Sequence, residues 1–292
     1  MRWIKKVYRD YMKLFDAGRL TFHIKEWYEF YHFNTGGHII IGLLFPVVVL
    51  LYPILRLTHQ RCVAEVRANG DIYELKSESG VFFHIPKMET DIMHGYYLLA
   101  EDYHDHNILP GICSRYIKPD SVICDIGANI GNHTVYFAKH CVPRIIYAFE
   151  PVKETFEYLM DNVRLNHFED TVNAMNVALG AKAFRGDVKV TDESNCGANQ
   201  IHEDGNGEVT GITLDSLGIG KVDFFKIDVE GFEYNVIMGG YETLRKSDAT
   251  IFIEIFDDRF ERVNSLLEEI GYHVVPDDLL RNRHDYIYKK RT

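Results

Sequence analysis

Val122-Ile123-Cys124-Asp125-Ile126-Gly127-Ala128-Asn129-Ile130-Gly131 decides the fold, together with Ile145-Ile146-Tyr147-Ala148-Phe149-Glu150-Pro151 downstream. The first stretch is an apolar strand running into a glycine-containing turn, and the second is a strand that ends on a carboxylate. A strand, a tight turn, a helix and a second strand ending in an acid is a layout that holds an adenosine-type cofactor. The glycines let the backbone approach the ligand, and the acid accepts hydrogen bonds from ribose hydroxyls. The turn reads G-x-x-x-G, not the G-x-G-x-x-G that suits a pyrophosphate, and Asp125 stands just before it. A carboxylate there repels a diphosphate and favours a cationic ligand. S-adenosylmethionine (SAM), with its sulfonium and ammonium groups, is the expected cofactor. Taken alone, the turn has a plainer reading in which Gly127 and Gly131 only close the connection between a core strand and its helix.

Further segments narrow the choice. Asp161-Asn162-Val163-Arg164-Leu165-Asn166, Asn176-Val177-Ala178-Leu179-Gly180, Thr213-Leu214-Asp215-Ser216-Leu217 and Val222-Asp223-Phe224-Phe225-Lys226-Ile227-Asp228-Val229-Glu230-Gly231-Phe232-Glu233 follow in that order. Together they resemble the FkbM-type SAM-dependent methyltransferases, over residues 117–256, with K-I-D-V-E-G as the most specific part. The resemblance implies a class I methyltransferase fold, SAM as cofactor, and methyl transfer to a hydroxyl of a sugar or another small molecule.

The chain has 292 residues, 46% of them hydrophobic, enough for one full α/β core plus an extension. A net charge of −11 disfavours a nucleic-acid partner, which calls for a basic face. Five cysteines without a C-x-x-C pair suit reduced thiols in a cytoplasmic setting, and neither a disulfide framework nor a zinc site is expected. Cys124, inside the first core strand, reads as a small core residue.

Three regions are expected: an N-terminal extension over 1–60, a small β-hairpin and linker element over 61–116, and the SAM-binding domain over 117–292. The extension mixes basic and aromatic residues, then runs without charge from Ile39 to Leu55, with Pro46 near the middle of that run. The run is at the short limit for a membrane span. The basic flank would stay cytoplasmic, so a simple span would put the catalytic domain on the side away from cellular SAM. An interfacial or re-entrant segment over about 38–57 at the cytoplasmic face of a membrane avoids that difficulty. The competing reading is a hydrophobic helix buried against the domain or a partner subunit.

Alternation on both sides of Asn69-Gly70 predicts a hairpin before the core. In the core, strands are expected at 122–126, 144–149, 171–177, 222–227, 250–255, 272–275 and 285–289, and helices at 132–140, 152–165, 232–245 and 259–270. The pattern is α/β: a mostly parallel seven-stranded sheet with helices on both faces. The resemblance implies that its last strand is antiparallel. The polar stretch from Asp192 to Thr210 reads as a long loop and lid.

Ligands in such sheets sit at the carboxyl ends of the strands. Asp125, Glu150, Asn176, Asp228 and Glu254 fall at those ends. Glu150 is expected on the ribose diol, Asn176 or the Val177-Ala178 backbone at the adenine, and Gly127, Ala128 and Asn129 beneath the methionine portion. Asp228 is a candidate for the SAM ammonium or for the general base, and Glu230 for the base or for a helix cap. His133 and Glu254 are the next base candidates, while Lys226 reads as a salt-bridge residue. The run Glu101-Asp102-Tyr103-His104-Asp105-His106 has metal-ligand chemistry but reads as a solvated loop, so no metal is expected. With the acceptor class implied by the resemblance, the reading is an O-methyltransferase for a saccharide or glycoconjugate precursor. A soluble small-molecule O- or N-methyltransferase and a non-catalytic SAM-binding membrane scaffold are the alternatives.

Overall fold

The computed structural model describes residues 64–69, 72–76, 81–86, 108–189, 200–280 and 283–291. Strands β1 (Ala64–Asn69), β2 (Ile72–Lys76) and β3 (Phe82–Pro86) come first, followed by helix α1 (Leu109–Tyr116). Next are β4 (Val122–Ile126), α2 (Asn132–His140), β5 (Ile145–Phe149), α3 (Lys153–Leu165) and β6 (Val172–Met175). Four short strands follow, β7 (Ala178–Leu179), β8 (Phe184–Lys189), β9 (Gln200–Glu203) and β10 (Val209–Ile212). The chain then forms β11 (Phe224–Ile227), α4 (Glu233–Gly239), α5 (Tyr241–Lys246), β12 (Thr250–Glu254), α6 (Phe260–Ile270), β13 (Tyr272–Val275) and β14 (Asp285–Lys290).

The seven strands expected in the core form one sheet, in the order β13-β14-β12-β11-β4-β5-β6. Neighbours from β12 through β6 pair parallel, and β14 runs antiparallel to both β12 and β13. This is the class I methyltransferase arrangement. Because helices cover both faces, the central strands are apolar on both sides. Every residue of β4 and β11 is buried. Ile123, Ile146, Phe224 and Phe252 pack with Val135 and Phe137 of α2 and with Leu159 and Val163 of α3. Cys124, Ile126, Phe225, Ile251 and Ile253 pack on the other face with Val236 and Ile237 of α4 and Val263 and Leu267 of α6. Each large side chain so buried contributes about 1.5–3 kcal/mol.

Three features differ from the expectations or refine them. The helix expected over 232–245 is two helices, α4 and α5, meeting at Gly240. The segment 192–210 is not all loop. Gln200–Glu203 and Val209–Ile212 are strands of a second sheet, ordered β7-β10-β8-β9, and 190–199 lies outside the described residues. Its strands are short, and β8 and β9 are largely exposed, so they carry no continuous apolar run to announce them. The hairpin before the core is present, with Asn69 paired to Ile72, and β3 adds a third strand to it.

Chain contacts separate 1–62 from 63–292. The uncharged run 39–55 and the acidic-histidine run 101–106 lie outside the described residues. Among the described residues, no helix is long and apolar enough to cross a membrane.

Strand β3 is held to α3 by two asparagines. Asn162 accepts from the His84 N–H (2.6 Å) and donates to the His84 carbonyl (3.1 Å), and Asn166 does the same for Phe82 (2.8 and 2.6 Å). The Asn162 amide also donates to the Ile130 carbonyl at 2.7 Å, inside the turn after β4. Asn162 is fully buried, so its loss strands several backbone groups. Asn162→Ala should destabilise the protein by about 3 kcal/mol in denaturant titration and speed amide exchange in β3 first. A change within experimental error would show that solvent replaces these bonds.

Candidate active site

Three strand ends, from β4, β5 and β11, meet at the centre of the sheet's carboxyl edge. Asp125 on β4 and Lys226 on β11 are register partners on neighbouring strands. Both are buried, at 0% and 3% exposure. Asp125 accepts from the Thr134 hydroxyl at 2.6 Å and lies 3.5 Å from the Lys226 ammonium. That ammonium donates to the Gly127 carbonyl at 2.6 Å and lies 3.4 Å from Asp228. Burial works against the charged lysine, but the carboxylates of Asp228 and Asp125 outweigh it and lift its pKa above the ordinary lysine range. Gly127 has φ +78°, and a Cβ there would overlap the backbone carbonyl of Asp228. Only glycine lets the turn after β4 rest on the turn after β11.

The same turn is tied to β5. Gly127 and Ala128 donate to the Phe149 carbonyl at 3.0 and 2.9 Å. Glu150 accepts from the Asn129 N–H at 3.0 Å and from the Val152 N–H at 2.8 Å. Burial pushes the Glu150 carboxyl up to about 7, against the pull of these bonds and of Lys226. Asn129 adopts φ +51°, a left-handed conformation that asparagine tolerates, and its side chain accepts from the Ile130 N–H at 2.7 Å. Gly131 precedes the first residue of α2. Asn176 donates to the Glu150 and Pro151 carbonyls at 2.8 and 3.0 Å, so its amide nitrogen holds the β5 loop in place. Ala178 is buried at the start of β7.

Beyond β11 and β12 lies a group of acids. Carboxylate oxygens of Asp228, Glu230 and Glu254 lie within 4.8 Å of one another. Glu254 is pushed up to about 9, first by burial and then by the negative charges of Asp228, Asp285 and Glu230. Glu230 is pushed up to about 7 by burial and by the negative charges of Asp228 and Glu233. It sits at φ +49°, an uncommon conformation for a glutamate. The helix-capping role considered for Glu230 is not seen, since α4 has no side-chain cap at its N-terminus, and Glu233, its first residue, accepts from the Gly231 N–H at 2.6 Å. At Gly231, φ is +101°, and a Cβ would come 2.7 Å from the guanidinium carbon of Arg259. Arg259, to which no sequence motif points, thus lies over this turn, where its charge lowers the pKa of Glu230 and Glu233.

The structure therefore gathers Asp125, Gly127, Ala128, Asn129 and Glu150 around one turn and Asp228, Glu230 and Glu254 around the next. His133 is not a member of that carboxylate group. It is buried in α2, stacked on Phe137 (5.9 Å) and edge-on to Phe252 (6.4 Å). Beside Glu254, whose register partner is Asp285, two aromatic pairs stand at the carboxyl edge: Phe256 with His284 (5.0 Å) and Phe260 with Tyr286 (4.8 Å).

Comparisons with known proteins agree with this geometry. The sequence profile of the Methyltransferase FkbM domain matches residues 125–274. Methyltransferase 1 of Beauveria bassiana is 28% identical over 182 residues, which cover 53% of this chain and 73% of that protein. The 2-O-methyltransferase NoeI of Sinorhizobium fredii is 29% identical over 155 residues, covering 47% of this chain and 64% of NoeI. Among solved structures, the methyltransferase FkbM of Methylobacillus flagellatus is similar at a TM-score of 0.47 and 15% identity, over 84% of this chain and 60% of that one. The matched profile begins at Asp125 near the end of β4 and spans both turns and all of β11, and the chain belongs to the FkbM family of SAM-dependent methyltransferases.

Proposed function

We propose that the protein transfers a methyl group from SAM to a hydroxyl of a saccharide or glycoconjugate precursor. The observation that carries this reading is the pair of adjoining turns. One offers glycine backbone and a buried acid, and the other offers three clustered carboxylates, of which Glu230 and Glu254 have raised pKa values. The residues fit SAM. Each Glu150 oxygen accepts one backbone N–H and retains a lone pair for a ribose hydroxyl. Asp125 and Asp228 together carry one more negative charge than Lys226 neutralises, which suits a cationic ligand.

SAM, when bound, supplies an electrophilic methyl group. The chain's part is to place an acceptor oxygen in line with that methyl and to take up its proton. Glu230 is the proposed base, because a carboxylate with a pKa near 7 is matched to proton transfer at neutral pH. Asp228, which lies 3.4 Å from the Lys226 ammonium, is proposed to hold the SAM ammonium. The name of NoeI, a 2-O-methyltransferase, supports an oxygen acceptor. The aromatic pairs beside Glu254 suit the apolar faces of a sugar ring. Family resemblance supports the saccharide class. The uncharged run 39–55 supports attachment at the cytoplasmic face of a membrane.

Three outcomes test this reading. Calorimetry should show that affinity for S-adenosylhomocysteine (SAH) rises from pH 6 to pH 8 as Glu150 ionises and becomes a stronger acceptor. Glu150→Gln should abolish that rise. The linked effect on the ligand-free protein has the opposite sign. A carboxyl with a raised folded pKa stabilises the fold below its unfolded value near 4.5, and that contribution is lost as pH climbs through about 7.

With radiolabelled SAM and a panel of saccharides, Glu230→Gln should lose about 10²–10⁴-fold in turnover while SAH binding persists. Asp228→Asn should weaken both. Wild-type turnover should survive a chelator, and restoration by magnesium after its loss would instead make the three carboxylates a metal site. Finally, full-length protein should sediment with membranes and resist high-salt extraction. Recovery in the soluble fraction without detergent would favour the buried-helix reading of 39–55.

A further inference from the structure

Lys226 is placed unusually for a site that accepts a cation. It lies in a central strand among Phe224, Phe225 and Ile227, nearly inaccessible to water, with its ammonium under the cofactor turn. Structural pairing with Asp125 alone would need no contact with Gly127 or Asp228. Instead one ammonium donates to the Gly127 carbonyl at 2.6 Å while lying 3.5 Å from Asp125 and 3.4 Å from Asp228. It therefore joins the turn proposed to carry the methionine half of SAM to the carboxylate proposed to hold its ammonium.

A buried positive charge at this point has a second effect. The sulfonium of SAM is positive, and SAH, left after transfer, has a neutral sulfur. During transfer the acceptor oxygen bonds to the methyl carbon, the carbon–sulfur bond pair returns to sulfur, and the hydroxyl proton passes to a carboxylate. Positive charge on sulfur disappears in that step. A fixed cation close by raises the free energy of the charged donor relative to its neutral product, the more so in a poorly solvated interior.

We propose that Lys226 is a positioning residue that also acts electrostatically. It locks the Gly127 turn to Asp228 and offsets enough of the site's negative charge to keep SAM from being held too tightly relative to SAH. The proposal rests on the SAM reading above, and the two can fail separately. Wild-type protein that binds neither SAM nor SAH would overturn that reading itself. The specific readout here is the ratio of SAH to SAM dissociation constants, measured by calorimetry on the full chain.

Lys226→Met keeps the approximate length of the side chain and removes the charge. Loss of the clamp weakens both ligands alike, whereas loss of the charge favours SAM, so the ratio should rise about tenfold. Lys226→Arg keeps the charge and should leave the ratio at the wild-type value. An unchanged ratio in a folded Lys226→Met protein overturns the proposal and leaves Lys226 a structural ion-pair residue. Should that variant fail to fold, Lys226→Met combined with Asp125→Asn removes one charge of each sign. The net charge is then unchanged and the clamp absent, so both affinities should fall with the ratio fixed. A ratio that moves in this double variant overturns the electrostatic account.

Discussion

The contact between Gly127 and the backbone of Asp228 governs the rest of the site. Two neighbouring parallel strands, β4 and β11, end at the same level, and the turns that leave them share the small space above the sheet. A side chain at position 127 would occupy the Asp228 carbonyl, so the turns can meet only through glycine. Once they meet, the carbonyl of Gly127 points at a position that Lys226 can reach from within the sheet. The lysine in turn needs carboxylates, because an unpaired buried ammonium is costly. Asp125 and Asp228 are those carboxylates.

The same pairing explains why the acids differ from one another. Asp228 lies against Lys226, whereas Glu230 and Glu254 lie further from that cation and closer to other negative charges. Their pKa values rise for that reason as well as through burial. Within one cluster, Glu230 is thereby poised near neutral pH and Glu254 is pushed higher, while Asp228 stands beside a cation. Separation of pKa values among neighbouring carboxyls is how one fold obtains distinct acid and base roles at a single pH.

Much of this is legible in the sequence, for identifiable reasons. Strands buried on both faces read as apolar runs, which locates β4, β11 and β12, whereas shorter apolar stretches mark the half-exposed β6, β13 and β14. Gly127 and Glu150 stand out because few other residues serve a close backbone approach or a ribose diol. Lys226 reads only as a salt-bridge residue, since its partners depend on the register between β4 and β11, which one strand's sequence does not contain. Arg259 carries no local signal, because its contact with Gly231 joins segments separated by all of α4, α5 and β12. Glu230 does not cap α4, because the helix begins at Glu233 and the carboxyl that reaches the Gly231 N–H belongs to that first residue. The outer sheet escapes sequence reading because Gln200-Ile201-His202-Glu203 has no apolar face to bury.

The two asparagines that grip β3 solve a problem unrelated to catalysis. In a helix, residues four apart are separated by about 6 Å along the axis, and alternate residues of a strand by about 6.7 Å. Asn162 and Asn166 therefore match Phe82 and His84, and each primary amide presents a donor and an acceptor as a strand residue does. Helix α3 in effect imitates a neighbouring strand along the outer edge of the small sheet. Exposed strand edges invite pairing with other chains and aggregation. Here the helix occupies that edge with its own side chains, leaving those backbone groups no vacancy for a foreign strand.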